Sequence, residues 1–466
     1  MNRGNLTVKG LSISGFSGNG VLYNDKGYVR VENLEITDNG RYGILADGDI
    51  YINSAASKSD AGSISAGTVT VSGNGGKGDG GGIRSLKKSI TARNVEITGN
   101  KGPGIAAKKD IDLGKIKVNN NQGPGIQSMN GGITITGAVD DSDVNEVSGN
   151  EGPGIFAGTD MALPGAGSGK SIGGKIYIQT HITVSKNTGW GILGPSYVAV
   201  NRLDTASSGV SPHTSVISGN GDKTKKCYIV EDNGDLALLS AKAYDTGGIG
   251  SGSYIGASVM DVSDNHGPGI VAREDIHLRK INIQNNQGPG IQSMNGGITI
   301  IGAVDDSDVN EISGNHGPGI FSGVDMNVPA DYGKSIFVQT HIQVRDNSGW
   351  GIAAPRKDVV VNGIEYGTRG KVSASTSYIT GNGAKNNPFY LVGEDGSLGR
   401  LKKYDAGGIL AGQSMAGYLL EATDNFGDGV NAAKDIYIDT GKVCNNTGVN
   451  ITSNGAQTLD NVDLCK

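Results

Sequence analysis

A short motif occurs at Asn100-Lys101-Gly102-Pro103-Gly104-Ile105. It recurs one repeat unit later at Asn121-Gln122-Gly123-Pro124-Gly125-Ile126. Further copies of the pattern, an Asn followed by Gly-x-Gly-Ile, recur along the chain at the same interval or at that interval plus an insertion. A unit of about 21 residues is too short for a pair of helices or a propeller blade, but it fits one coil of a solenoid. The repeat therefore predicts a fold of stacked coils.

Within one unit the apolar residues alternate in three short segments, which predicts three strands per coil. They are Ile105, Ala107, Ile111, Leu113, Ile116 and Val118. Because stacked coils place like residues above like, each Ile of the motif becomes one step of an interior ladder. We expect the Asn to lie in a turn and to bond the backbone or the Asn of the next coil. We expect the glycines to supply turn positions with positive φ.

The composition agrees with a turn-rich β fold. The 466 residues include 79 Gly but only 6 Phe and 2 Trp, against a usual glycine share of roughly 7%. The glycines follow no three-residue period, which excludes collagen. A formal net charge of -6 without a basic block argues against nucleic acid as a partner. No apolar run is long enough to insert into a membrane, and the N-terminal residues lack the apolar stretch of a signal peptide.

The chain also contains a longer repeat. Residues 120–156 return as residues 285–321 with 34 of 37 positions identical. We therefore predict a single parallel β-helix over residues 1–466, with an internal duplication at 100–264 and 265–424 and a truncated third copy at 425–466. Hairpin insertions are expected near 205–245 and 365–405.

The pattern N-x-G-x-G-I followed by short alternating strands resembles the right-handed parallel β-helix of the pectate-lyase-like superfamily. It is similar in particular to the β-helices of adhesin and autotransporter passenger domains. The resemblance implies an all-β solenoid of about fifteen coils, with loop and hairpin insertions. It also implies an extracellular or cell-surface location. The superfamily includes polysaccharide lyases and hydrolases. Its hydrolases that cleave polygalacturonan carry N-T-D, D-D, G-H-G and R-I-K signatures, of which this sequence contains only D-D, at Asp140-Asp141 and Asp305-Asp306.

An acidic segment occurs once in each half of the duplication. Clustered carboxylates are ligands that Ca²⁺ prefers, and lyases of this fold use such calcium in catalysis. The alternative is a solvated acidic turn that the duplication has preserved. We expect no cofactor, with Ca²⁺ as the alternative at these carboxylates. The candidate ligands are Asp140, Asp141, Asp143, Asp305, Asp306 and Asp308.

A second duplicated feature pairs a histidine with a nearby cation. His181 precedes Lys186, and His341 precedes Arg345. A catalytic interpretation makes the His a base and the cation a clamp for a uronate. The alternative is that each His is an exposed residue on the outer face of a strand.

Aromatic residues mark the candidate ligand-binding surface. Trp190 and Trp350 stand at a turn, where each either stacks on a sugar ring or packs against the neighbouring insertion. Tyr228 and Tyr390 lie in the first strands of the two expected hairpins. These hairpins either project as binding arms or fold back to shield the wall of the solenoid.

Two of the three cysteines are one coil apart. Cys444 and Cys465 are separated by the same interval as Asn100 and Asn121, so stacking brings them close to the separation that a disulfide requires. Either a disulfide or two stacked thiols fits this spacing. Cys227 has no evident partner in the sequence.

Three functions follow as hypotheses. The first is a non-enzymatic extracellular β-helical rod that displays loops for adhesion to a glycan or a partner protein. The second is a polysaccharide lyase or hydrolase. The third is a component of a surface layer or filament that associates with itself, end to end or side by side.

Overall fold

The structure is a computed structural model. It describes residues 4–54, 67–76, 80–137, 145–161, 174–201, 213–240, 245–302, 310–325, 332–363, 373–383, 389–401 and 405–465. Among these residues, contacts define two compact units, unit 1 ending at Thr246 and unit 2 beginning at Gly247. The described residues contain strands and turns but no helix. In the described part of the chain, accordingly, no helix is long and apolar enough to cross a membrane.

Unit 1 contains a wide sheet, a narrow sheet and a hairpin. The strands of its wide sheet are β1 (Leu6–Lys9), β2 (Ser12–Ser14), β4 (Tyr28–Glu32), β5 (Glu35–Thr37), β7 (Asp49–Ile52), β8 (Val69–Ser72), β10 (Ile90–Thr98), β12 (Ile111–Asn119), β14 (Ile133–Thr136), β15 (Asn145–Ser148), β17 (Ile176–Ile178), β18 (Ile182–Ser185), β20 (Val198–Val200) and β21 (Ser215–Ser218). Those of its narrow sheet are β3 (Val21–Tyr23), β6 (Tyr42–Ala46), β9 (Gly81–Ser85), β11 (Ile105–Ala107), β13 (Ile126–Ser128), β16 (Ile155–Ala157) and β19 (Ile192–Gly194). The hairpin consists of β22 (Cys227–Val230) and β23 (Leu236–Leu239).

Unit 2 repeats this organisation. The strands of its wide sheet are β25 (Ile255–Ser263), β27 (Ile276–Gln284), β29 (Ile298–Ile301), β30 (Asn310–Ser313), β32 (Ile336–Val338), β33 (Ile342–Arg345), β35 (Val359–Val361), β36 (Ser377–Thr380), β40 (Met415–Thr423), β42 (Ile436–Cys444) and β44 (Gln457–Asp463). Those of its narrow sheet are β24 (Ile249–Ser251), β26 (Ile270–Ala272), β28 (Ile291–Ser293), β31 (Ile320–Ser322), β34 (Ile352–Ala354), β39 (Gly407–Ala411), β41 (Asp428–Ala432) and β43 (Ile451–Ser453). Its hairpin consists of β37 (Phe389–Val392) and β38 (Leu398–Leu401).

Each coil contributes one strand to the narrow sheet, and the motif isoleucines are in register there. Ile105 is paired with Ile126 and Ile126 with Ile155, in parallel ladders. All three are fully buried, so they form the predicted interior ladder. The narrow sheets have seven described strands in unit 1 and eight in unit 2. The prediction of an all-β parallel β-helix with about fifteen coils is therefore confirmed.

Two of the three strand segments of a coil lie in the wide sheet. Among the described residues, six coils cross it as a single nine-residue strand. The fifth residue of each such strand has a positive φ, which bends the strand into two segments. These bend residues are Asn94, Lys115, Val259, Lys280, Leu419 and Thr440. In several other coils the two segments are separate strands, such as β14 and β15, and the inserted residues lie between them. Insertions at the bend leave both segments in register with their neighbours.

The motif asparagines form a hydrogen-bonded ladder in each unit, in agreement with the sequence expectation. The side-chain Nδ2 of each Asn donates to Oδ1 of the next at 2.9 to 3.0 Å. The ladder of unit 1 consists of Asn39, Asn74, Asn100, Asn121, Asn150, Asn187 and Asn220, and that of unit 2 of Asn265, Asn286, Asn315, Asn347, Asn382, Asn425 and Asn446. Phe16 stands where the first coil would place its Asn, and its backbone N–H donates to Oδ1 of Asn39.

The expectation that the motif glycines supply positive φ is wrong. Gly104, which precedes the ladder Ile105, does not have a positive φ. It is needed because a Cβ there would lie 2.6 Å from the Gly125 carbonyl oxygen and 3.0 Å from Nδ2 of Asn121. The positive φ occurs instead at residues before the Asn, such as Gly99 with φ 64°. Close approach of neighbouring coils therefore accounts for the motif glycines.

Candidate functional site

The two hairpins lie against the outer face of the narrow sheet. In unit 1, Nε2 of Gln127 donates to the Val230 carbonyl at 2.7 Å, and the Val230 N–H donates to Oε1 of Gln127 at 2.8 Å. In unit 2, Gln292 makes the same two bonds with Val392, at 2.7 and 2.9 Å. Both glutamines are fully buried. We call this two-bond contact the glutamine clamp.

Apolar side chains complete the contact beneath each hairpin. In unit 1, Val230 packs with Ala106 and Met129, and the partly buried Leu236 covers them. In unit 2, Phe389 and Leu391 of the hairpin pack with wall residues in a buried cluster that includes Phe321, Trp350 and Ala353. The expectation that the hairpins project as arms is therefore wrong for the described strands. Shielding of the wall, the other alternative, is the arrangement found, because the outer face of the narrow sheet is apolar at these positions.

Hydrogen bonds to carboxylates order the turns of both hairpins. In unit 1, Asp232 accepts a hydrogen bond from the Lys108 ammonium, which lowers the pKa of this carboxyl group. In unit 2, the Ser397 hydroxyl and amide bond Asp395 at 2.7 and 3.0 Å and lower its pKa in the same way. The hydrogen-bond donor to the turn carboxylate therefore comes from the wall in unit 1 and from the turn itself in unit 2.

The aromatic candidates differ in accessibility. Trp190 and Trp350 are 0% and 3% exposed, so neither indole face is available for a sugar ring. Trp350 packs instead with Phe389 and Leu391 of the hairpin. Packing against the neighbouring insertion was the alternative to sugar stacking. Tyr228 and Tyr390 are partly exposed in their hairpins, and their backbone N–H groups donate to the carbonyls of Glu151 and His316 at 2.7 and 2.8 Å. These two tyrosines are therefore partly accessible to solvent.

In each candidate pair, the histidine is buried and the cation is exposed. His181 and His341 are 5% and 3% exposed, so the expectation of exposed surface histidines is wrong. Lys186 is exposed at a turn position with φ 56°. Arg345 is also exposed, and its NH2 group lies 2.6 Å from Oε1 of Glu311. A buried imidazole beside an exposed cation does not form a base and clamp that share one substrate.

The six candidate metal ligands lie outside the described residues. They are Asp140, Asp141, Asp143, Asp305, Asp306 and Asp308. Within the ranges that the structure describes, no group of three or more His, Cys, Asp or Glu side chains could hold a metal ion. The calcium interpretation of the two acidic segments therefore stays a prediction.

Cys444 and Cys465 form a disulfide with a Cα–Cα separation of 5.5 Å. The bond connects β42 to the end of the chain after β44, and these two strands are neighbours. Of the two alternatives left by the spacing, the structure contains the disulfide. Cys227 keeps a buried thiol whose Sγ lies 3.9 Å from Sδ of Met161.

A cluster that the sequence analysis did not single out lies on the outer face of the wide sheet in unit 1. The ring centroids of Tyr177 and Tyr197 are 5.1 Å apart, with an interplanar angle of 43°. Nζ of Lys175 is 6.0 Å from the centroid of Tyr177 and 5.8 Å from that of Tyr197. Both tyrosines are partly exposed and Lys175 is exposed. We call these three residues the tyrosine patch.

Strand register builds the tyrosine patch. Tyr177 is the outward residue of β17, between the buried Ile176 and Ile178. Tyr197 directly precedes β20, and its carbonyl accepts the N–H of Ile176 at 2.9 Å. Since β17 and β20 are paired in parallel, the two rings meet on adjacent coils. Alternation within β17 could have predicted the outward Tyr177, but not its neighbour one coil further on.

The comparison with protein families concerns the N-terminal part of the chain. Residues 1–163, about a third of the sequence, match the family model described as "right handed beta helix region". No curated protein and no solved structure matches the chain. Together with the parallel ladders in both units, the family match identifies the fold as a right-handed parallel β-helix solenoid.

Proposed function

We propose that this chain is a non-enzymatic extracellular β-helical scaffold that binds a carboxylate-bearing glycan on its outer wall. The observation that carries the proposal is the tyrosine patch of Lys175, Tyr177 and Tyr197. Two adjacent aromatic rings offer apolar faces to a sugar, and their hydroxyls offer hydrogen bonds. The lysine supplies a cation for a sugar carboxylate. Acidic sugars combine these three properties in one ligand.

The fold supports a scaffold role for the wall. Backbone ladders and the buried asparagine ladders hold the strands of each unit in register. Outward residues such as Tyr177 are therefore fixed relative to each other before a ligand arrives. Preorganised side chains lose little conformational entropy on binding.

The disulfide between Cys444 and Cys465 supports the extracellular part of the proposal. Disulfides persist in oxidising compartments, which include the cell exterior, and are rare in the cytosol. The buried state of His181 and His341 supports a role without catalysis at those two positions, since a general base must reach its substrate.

The test is binding of the purified chain to uronate-containing polysaccharides and to neutral polysaccharides of the same backbone. The key variant carries K175S, Y177F and Y197D. Unit 2 has Ser335, Phe337 and Asp358 at the equivalent positions, since Ile336 pairs with Val359 as Ile176 pairs with Val198. The exchanged residues therefore suit this wall, and the variant should fold.

We expect the wild-type chain to bind the acidic polymer and the variant to lose at least about tenfold in affinity, from the lost ion pair and ring contact. The matched control is Y228A with Y390A, which leaves the patch intact and should bind as the wild type does. Equal binding of wild type and patch variant would overturn the proposal. Loss of binding in the control instead would move the glycan site to the hairpins. Release of unsaturated uronates, detected by ultraviolet absorbance, would favour the lyase hypothesis.

A further inference from the structure

Two histidines from neighbouring coils of unit 1 meet in the wide sheet. His181 lies in the turn between β17 and β18, and His213 lies two residues before β21. Since β18 and β21 are neighbouring parallel strands, the residues that precede them lie side by side at the start of the two strands. The two imidazole centroids are 5.0 Å apart with an interplanar angle of 70°. His181 is 5% exposed and His213 is half-buried.

We propose that His181 and His213 form a two-histidine binding site for a divalent transition-metal ion such as Zn²⁺. Imidazole nitrogen is a preferred ligand of Zn²⁺, Cu²⁺ and Ni²⁺. A site with two protein ligands leaves the remaining coordination positions to water. This inference is independent of the proposed glycan binding, because it uses none of the three patch residues.

The ring separation fits two imidazoles on one metal ion. With a metal–nitrogen distance of about 2.0 to 2.1 Å, each ring centroid lies roughly 3.2 Å from the metal. At a tetrahedral angle between the two ligands, the centroids are then about 5 Å apart. The observed 5.0 Å therefore agrees with the separation of two imidazoles on one metal ion.

The backbone at His213 is held in place by a residue of its own coil. Nδ2 of Asn201 donates to the His213 carbonyl at 3.1 Å, and Asn201 itself is buried. Outer contacts of this kind fix the position of a metal ligand and favour binding. A metal ion here would link two adjacent coils at the entrance to β21.

In unit 2 the corresponding contact joins one histidine to a serine. His341 occupies the place of His181, and Nδ1 of His341 lies 2.8 Å from the Ser373 hydroxyl. Asn362 holds Ser373 by accepting its N–H at 2.9 Å, as Asn201 holds His213 through its carbonyl. A serine hydroxyl is a poor ligand for these metals compared with imidazole. Unit 2 is therefore an internal control in which the second ligand is absent.

The experiment titrates the chelator-treated full chain with Zn²⁺ and with Ni²⁺ at neutral pH, followed by calorimetry. The variants are H213S, which leaves one histidine as in unit 2, and S373H, which places a second imidazole at the residue that contacts His341. We expect H213S to weaken binding at least about tenfold, since one of two ligands is lost. We expect S373H to add a second site of similar affinity. H277S removes an exposed histidine and should leave binding unchanged.

Two results would overturn the site. One is equal metal affinity of the wild type and H213S; the other is loss of binding in H277S rather than in H213S. Thermal unfolding in the presence of a chelator checks that H213S and S373H fold as the wild type does. Glycan binding is tested with different variants. A negative result for glycan binding therefore does not bear on the metal site, and a negative result for metal binding does not bear on the glycan site.

Discussion

At the scale of single residues, Asn121 shows what each step of the ladder does. Its Oδ1 accepts the backbone N–H of Asn100 at 3.1 Å and the side-chain Nδ2 of Asn100 at 2.9 Å. Its own Nδ2 donates to Asn150 and to the Ile97 carbonyl. All of these groups are buried, so the side chain satisfies polar groups that water cannot reach.

Replacement of Asn121 should therefore destabilise the chain more than a surface change does. N121A removes the acceptor of the Asn100 backbone N–H and of one Nδ2 hydrogen of Asn100, although Nδ2 keeps its bond to the Val71 carbonyl. Each buried unpaired group costs about 1 to 3 kcal/mol. We expect a loss of about 3 kcal/mol in the free energy of unfolding, seen as a lower midpoint in chemical denaturation. The neighbouring exposed residue provides the control, and Q122A should change stability by less than about 0.5 kcal/mol. Equal effects of the two changes would contradict the role of the ladder.

Asp395 is the residue at which pH should act on a hairpin. The Ser397 hydroxyl, followed by the Ser397 amide, lowers the pKa of Asp395 below its ordinary value. A carboxyl group with a depressed pKa stabilises the folded state above its unfolded pKa, and this contribution is lost as pH falls through its folded pKa. We expect S397A to raise the pKa of Asp395, measured by NMR titration. Asp222, whose pKa is lowered first by Thr224, is the internal reference and should not move.

At the scale of elements, the hairpins show how an insertion becomes part of the wall. A hairpin of two short strands is marginally stable by itself. Here one face is buried against the narrow sheet, and the glutamine clamp satisfies both polar groups of one peptide position in β22 or β37. The hairpin gains its stability from the wall, and the wall gains cover for its apolar outer residues.

Removal of the clamp should release the hairpin of unit 2. Q292L leaves the Val392 N–H and carbonyl without partners, so we expect a loss of about 2 to 4 kcal/mol of stability. The Val392 amide should also exchange with solvent much faster, as measured by hydrogen exchange. Q343L, on the outward face of β33, is the matched control and should leave that exchange rate unchanged. Unaltered protection of Val392 in Q292L would show that apolar packing alone holds the hairpin.

At the scale of the whole molecule, coils contact mainly their neighbours along each unit. β42, for example, is paired with β40 on one side and β44 on the other. Stability in such solenoids is close to a sum of terms for coils and for their interfaces. A change in one coil should therefore act chiefly on that coil and the next, which makes the effect of the disulfide local.

Loss of the disulfide should loosen the last described coil. Cys444 and Cys465 close a loop across a sequence separation of 21 residues, and a link of that length contributes about 3 kcal/mol. We expect C465S to reduce hydrogen-exchange protection in β43 and β44, while β40 keeps its protection. Wild-type chain treated with a reductant should behave as C465S does. Unchanged exchange in both samples would argue that the coil ladders alone secure this end.

The sequence predicted the features that repeat and missed those that depend on a partner elsewhere. The ladder of Ile105, Ile126 and Ile155 follows from spacing, because equal spacing stacks equal residues. The His181–His213 pair was missed because an insertion lies between its two residues. The tyrosine patch was missed because Tyr197 directly precedes its strand, where alternation does not assign a face. The exposure of His181 was misjudged and that of Trp190 was left open, since alternation distinguishes two faces of a strand but not what covers the outer face.

The sequence by itself therefore determined the coil: its length, its strand segments, its interior isoleucines and its asparagine turn. These are local or nearest-neighbour properties, and the repeat specifies them in each copy. Only the tertiary structure decided the outer surface. The clamp joins Gln127 to Val230 across 103 residues and Gln292 to Val392 across 100. Such contacts depend on where an inserted segment folds against the wall. The repeat pattern does not predict that position, because the insertion is not part of the repeat.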